Sequence, residues 1–205
     1  MIKSVMWVIS GIIHIIFCWE DGMKTVESSF SVKKLSLLGL LLAFALILSY
    51  IESLIPFFMG VPGMKLGLPN MAIVLLLFLF GEKEGILVNV LRIVISGLLF
   101  GSLFGILFSL SGAIVSFIAM VLLKKLGFFD ICGVSVIGGI AHNIAQLFVA
   151  AYIVKTSGII YYLPALLIMG TITGYLNGFI ASHTMPIVKN FVLAYDGRAN
   201  NDETS

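Results

Sequence analysis

Charge is what this chain has least of. Only 11% of its 205 residues are Asp, Glu, Lys or Arg, while 60% are hydrophobic and the mean hydropathy is +1.15. A soluble domain carries about 25% charged residues, so the composition is that of a polytopic membrane protein. The net charge of +2 comes with no basic stripe interleaved with aromatics, which excludes a nucleic-acid partner. There are only two cysteines, Cys18 and Cys132, and no CxxC, so neither a disulfide framework nor a zinc site is indicated. His14, His142 and His183 are scattered without metal-ligand spacing. No GxxxxGK[ST] stretch is present to power ATP hydrolysis through that fold. Aspartate is nearly absent from the apolar runs, and no aspartate-rich motif exists to hold a diphosphate with Mg²⁺. Pairing Ser96 or Ser135 with His142 would lack an orienting acid. The residues therefore predict neither an enzyme nor a cofactor or metal site.

Crossing the hydrocarbon core takes about 20 mostly apolar residues in a helix. Six stretches qualify or nearly so: 35–56, 70–80, 85–100, 103–123, 131–154 and 159–185. The expected fold is all-α, with six transmembrane helices in 33–188, an N-terminal extension in 1–32 and a polar cytoplasmic tail in 189–205. The second stretch is short, and Pro69 is tolerated only in a first helical turn. Gly101 and Ser102 either turn the chain between the third and fourth stretches or lie in one long kinked helix. Lys and Arg gather in cytoplasmic loops. With both ends of the core cytoplasmic, Lys33, Lys34, Lys83, Lys124, Lys125, Lys189 and Arg198 lie inside, against Lys65 and Lys155 outside, seven to two. Upstream, Val5 to Trp19 is apolar but only 15 residues long and lacks a small-residue cleavage site, and translation from Met23 would omit it.

Polar residues inside apolar runs are the candidates for function, because lipid penalises them unless they find partners. In the fifth stretch Gly138, His142 and Gln146 recur every fourth residue on one helical face, with Asn143 beside them. In the third, Asn89, Arg92 and Ser96 share a face. Glu52 lies near the outer end of the first. The loop PFFMGVPGMKLGLPN, 56–70, has three prolines and three glycines, carries Lys65 and ends at Asn70; it is either a lid over an outward pocket or a plain connector. Two arrangements compete. In one, Glu52 satisfies Arg92 and the amides join helices. In the other, Arg92 and Lys65 meet an anionic ligand, since a guanidinium fork suits carboxylate or phosphate. The rest of such a cavity is expected to be apolar and aromatic, with Tyr50, Phe57, Phe58, Tyr161 and Tyr162 near the outer surface. Small residues are spaced for close helix packing at Gly170, Gly174, Gly178 and Ser182, and at Gly97, Gly101, Gly105 and Ser109. The first stretch has two such rows, Gly39 with Ala43 and Ala45 with Ser49, and these are the candidates for docking a partner helix.

The segment PGMKLGLPN (62–70), Arg92, GGIAHNIAQL (138–147) and the final glycine-rich stretch together resemble the bacterial Gx transporter family, also labelled heptaprenyl diphosphate synthase component I. The resemblance spans roughly Lys33 to Pro186. Pro69 stands where that family has a small residue such as Ala. The family is similar to the substrate-binding S components of energy-coupling factor transporters, six-helix proteins of the cytoplasmic membrane that capture a vitamin-like nutrient beneath an outer loop. What the resemblance implies is a site built from Glu52, Lys65, Asn70, Asn89, Arg92, His142, Asn143 and Gln146. It also implies a separate coupling membrane subunit and two ATPase subunits, with Gly39, Ala43, Ala45 and Ser49 in the contact. The synthase label implies instead a membrane accessory in making a prenyl chain. A self-sufficient carrier is expected to repeat one half in the other, and no internal repeat is present.

The topology makes a direct prediction. In a chain freed of native cysteines, single cysteines at Lys83 and Lys125 should react with an impermeant maleimide only from the cytoplasmic face, and one at Lys155 only from outside.

Overall fold

The computed structural model describes residues 32–54, 67–101, 103–155 and 157–196, and among these there is no strand. The chain divides into Met1–Leu35 and Ser36–Ser205, and the helix bundle belongs to the second unit. Six α-helices follow in order: α1 Val32–Leu54, α2 Leu68–Leu79, α3 Glu82–Phe100, α4 Leu103–Leu126, α5 Ile131–Val154 and α6 Leu163–Asp196, with a 3-10 helix at Ser157–Tyr162 leading into the last.

Four of the six, α1, α4, α5 and α6, are long and apolar enough to cross a membrane. The other two depart from the expected full spans for different reasons. Helix α3 opens on Glu82, Lys83 and Glu84 and carries Arg92 in its interior. Helix α2 has 12 residues, about 18 Å at 1.5 Å per residue, well short of a hydrocarbon core of about 30 Å. It is a core element instead. Ala72 through Leu77 are each no more than 1% exposed, and they pack with Leu38 and Leu41 of α1, Val88 of α3, Phe117 and Met120 of α4, Val134 of α5 and Ala181 of α6. A helix that is apolar on every side is stable only when surrounded.

Both ends of α2 are held by side chains from elsewhere. At its C-terminus the Lys124 ammonium of α4 donates to the Leu77 carbonyl at 2.6 Å and lies 5.2 Å from the centre of the Phe78 ring. That cation meets carbonyls with no intrahelical partner and the negative end of the helix dipole. The neighbouring pair Lys125 to Glu82, 3.2 Å apart, is largely exposed and contributes little. At its N-terminus α2 begins at Leu68, two residues before the expected start, with Pro69 in the first turn where a missing N–H costs nothing.

The closest helix contact is between α5 and α6. A Cβ placed on Gly174 would lie 2.7 Å from Val136 Cα and 2.8 Å from the Ser135 carbonyl, both backbone atoms that no rotamer change can move. The row Gly170, Gly174, Gly178 thus lets the two backbones touch, as its spacing predicted. Close approach also settles the turn at Gly101. Gly97 of α3 faces the Ile106 side chain of α4 so tightly that a Cβ would collide with it. In one continuous helix those residues would be about 13 Å apart along the axis, so the chain reverses here and α3 and α4 form a hairpin.

The two small-residue rows of α1 separate. Gly39 and Ala43 are exposed, and no atom lies within 4 Å of a Cβ built on Gly39. Ala45 is fully buried and Ser49 is 9% exposed, its hydroxyl donating to the Ala45 carbonyl. These two face the bundle because they continue the inward stripe of Leu38 and Leu41, whereas the other row of the expected partner contact is on the outer face of α1. Helix α6 does not end near the expected boundary at 188 either. It continues through Pro186 to Asp196.

Replacing Gly174 by Ala should lower stability by about 1–3 kcal/mol through overpacking, despite alanine's better helix propensity. Gly39→Ala should leave stability unchanged or slightly raised. Thermal unfolding of the two variants in the same detergent separates these outcomes.

Candidate functional site

The first two turns of α4 and the last turns of α3 form one end of the bundle, opposite the end marked by Lys124 and Lys125. A cavity of about 90 Å³ opens there. Its walls carry Glu52 of α1, Gly67 and Asn70 at the start of α2, Arg92 of α3, and His142 and Gln146 of α5. Small side chains complete the lining, chiefly Ser49, Ser96 and Ser109. Among the described residues, Phe100 is the one Phe, Tyr or Trp in the wall. Tyr50 meets Phe100 in a tilted ring contact, 5.0 Å between ring centres, and Tyr161 is 89% exposed. Phe57, Phe58 and Lys65 lie outside the described residues.

Arg92 is 8% exposed. One terminal nitrogen of its guanidinium donates to Asn89 Oδ1 at 2.9 Å, one helical turn earlier. The Nε–H is buried and has no acceptor among the described residues. The Glu52 carboxylate attracts the guanidinium electrostatically. A buried N–H left without an acceptor costs about 1–3 kcal/mol, and here it belongs to a side chain that lines the cavity.

Gly67 is the point where three helices meet the cavity. Its backbone is in the left-handed region, φ +71°, which favours glycine. Its N–H donates to Glu52 Oε1 from α1, and its carbonyl accepts from Asn177 Nδ2 of α6 at 2.8 Å and from the Asn70 N–H at 2.9 Å. Asn177 is 5% exposed. The start of α2, with its unsatisfied N–H groups and positive dipole end, is thereby pinned at the cavity wall. On α5, His142 and Gln146 are seated by Gly112 of α4, where a Cβ would lie 2.8 Å from His142 Cε1 and 2.9 Å from Gln146 Cγ.

Of the eight residues the sequence nominated, Glu52, Asn70, Arg92, His142 and Gln146 line the cavity. Asn89 stands behind Arg92 and orients it. Asn143 points the other way, its amide donating to the Leu166 carbonyl of α6 at 2.9 Å, so it joins helices and does not face the cavity. This follows from its place one residue after His142, about 100° around the helix. Sequence reasoning missed Asn177 and assigned Ser49 elsewhere. The available signal for Asn177 was a lone amide inside a glycine-rich apolar helix, as informative in kind as Asn143.

Asn177→Ala should leave the Gly67 carbonyl short of a partner and cost about 1–2 kcal/mol, measurable as a lowered unfolding midpoint. Gly67→Ala should cost a similar amount through its left-handed backbone, while Asn177→Gln should recover part of the loss.

No curated protein and no solved structure matches this chain. One family model does, over residues 41–184, well over half of the chain and including every cavity-lining residue named above. By that match the chain belongs to the heptaprenyl diphosphate synthase component I family.

Proposed function

We propose that this chain is the membrane-embedded substrate-binding subunit of an energy-coupling-factor-type transporter, capturing a small anionic, vitamin-like or cofactor-precursor ligand from outside the bacterial cytoplasmic membrane. The observation that supports this reading is Arg92: a nearly wholly buried guanidinium that lines a cavity at one end of a helical bundle. An ionisable group at such depth is a functional residue by default, because lipid exposure is so costly. Glu52, Asn70, His142 and Gln146 add polar groups around the same space. The chain has no nucleotide-binding loop of its own. Release of ligand inside would need a coupling membrane subunit and two ATPase subunits. Gly39 and Ala43, exposed and unobstructed on α1, are the surface offered for the first of these.

A second reading is favoured by the family's own description: a membrane accessory of heptaprenyl diphosphate synthesis that binds or hands on a prenyl diphosphate. The same guanidinium would meet the diphosphate. Native mass spectrometry of the detergent-purified protein beside Arg92→Ala distinguishes the two. A small polar molecule that travels with the wild type and is lost in the variant is the expected result. A bound prenyl diphosphate would replace the first reading with the second, and an empty wild type as stable as the variant would overturn both.

A further inference from the structure

We propose that α2 works as a coupling rod: a displacement at Gly67, in the cavity wall, is carried through the bundle and delivered at the Lys124 contact near the opposite end. This deepens the proposed reading, in which occupancy of the cavity has to be felt by partner subunits at the other face of the membrane. The polar contacts of α2 lie at its two ends. Gly67 is held by Glu52 of α1 and Asn177 of α6, and the Leu77 carbonyl is held by Lys124 of α4. These anchor points are about 15 Å apart along the helix axis. Between them, Met71 through Leu76 carry only apolar side chains, and Ala72 through Leu77 are no more than 1% exposed. Hydrophobic contact is non-directional, so the shaft contributes no hydrogen-bonding side chain of its own to fix its axial position. The bonds at the two ends set it.

A step at one end cannot be absorbed on the way. Close-packed interiors have low compressibility and transmit strain, the backbone ladder keeps the helix at constant length, and packed helices shift as units by about 1–2 Å. At the far end α2 meets α3 and α4 closely. A Cβ on Gly85 of α3 would lie 3.6 Å from Leu77 Cα and 3.0 Å from the Phe117 ring of α4. The Lys124 ammonium, besides its bond to Leu77, lies 5.2 Å from the centre of the Phe78 ring. Beside it, the Lys125 to Glu82 pair joins the end of α4 to the start of α3. An axial step of α2 therefore changes the Lys124 contact and presses on α3 at Gly85. At the cavity end the same step moves Gly67 against Glu52, which lines the cavity with Arg92.

The test uses the full chain, carrying Cys18→Ser and Cys132→Ala, in phosphatidylcholine nanodiscs, with N-ethylmaleimide as the probe. Single cysteines are placed by Met71→Cys near the start of α2, by Phe80→Cys at its end, and by Ala113→Cys on α4 as a control. Asn177→Ala releases the start of the rod and should raise the modification rate of Phe80→Cys severalfold. Lys124→Met releases the end and should raise that of Met71→Cys by a similar factor, because coupling between two sites is reciprocal. Ala113→Cys should keep its rate in both backgrounds. Effects confined to the end where the substitution was made would overturn the inference. So would an equal rise at Ala113→Cys, the mark of a bundle loosened throughout. Should Asn177→Ala fail to fold, Lys124→Met with Met71→Cys decides alone, and an unchanged rate there sinks the rod. No ligand is added, so failure here leaves the ligand-site reading standing, and an empty wild type in native mass spectrometry leaves the rod standing.

Discussion

A short helix whose start lies at the wall of a cavity has to be held there by contacts from other segments, because its own hydrogen-bond ladder leaves its first N–H groups without intrahelical partners. Helix α2 is that helix, and most of the arrangement around the cavity follows from how its start is held. Gly67 turns the chain into α2 through a left-handed residue and is gripped from two sides, by Glu52 of α1 and Asn177 of α6. The two gripping residues are 125 positions apart in the chain and touch the same residue, one at its N–H and the other at its carbonyl. With that start fixed, α2 can be surrounded by the other helices, and its positive end stands beside Arg92 and Glu52 at the cavity wall.

Polar residues inside this bundle divide into two kinds of work. Asn143 and Asn177 each donate to a backbone carbonyl of another segment, Leu166 and Gly67. Such bonds contribute about 0.6 kcal/mol each on average in membrane helices, modest as stability but specific as register. Asn89 and Arg92 form a pair within one helix, and Arg92 retains a buried donor with no acceptor among the described residues. A fully satisfied network would have closed that donor internally.

Much of the fold was legible in the amino-acid sequence because hydrocarbon imposes so few solutions. Run length and hydropathy placed five of the six helices to within a few residues, and the start but not the end of α6, since each apolar run had to become a helix or be buried. Boundaries slipped where local rules are loose: Pro69 sits comfortably in a first turn, and α6 runs through Pro186. Spacing also identified Arg92 with Asn89, and His142 with Gln146, because positions four apart share a face whatever the helix packs against. Neighbours in sequence were less readable. Asn143 belonged with His142 by position, but a step of about 100° turns it toward α6. On α1 the two small-residue rows looked equivalent, and only the inward stripe of leucines assigned Ala45 and Ser49 to the interior.

What the sequence alone determined, then, was class, helix count, the polar faces within α3 and α5, and the glycine row of α6. These depend on composition and on contacts within one helix. The tertiary structure decided that α2 is a buried half-length core helix, that α3 and α4 form a hairpin, and that Glu52 and Asn177 meet at Gly67. It also decided which polar residues face the cavity and which join helices. Those features depend on rotations and depths of helices far apart in the chain, and a one-dimensional pattern carries no term for them.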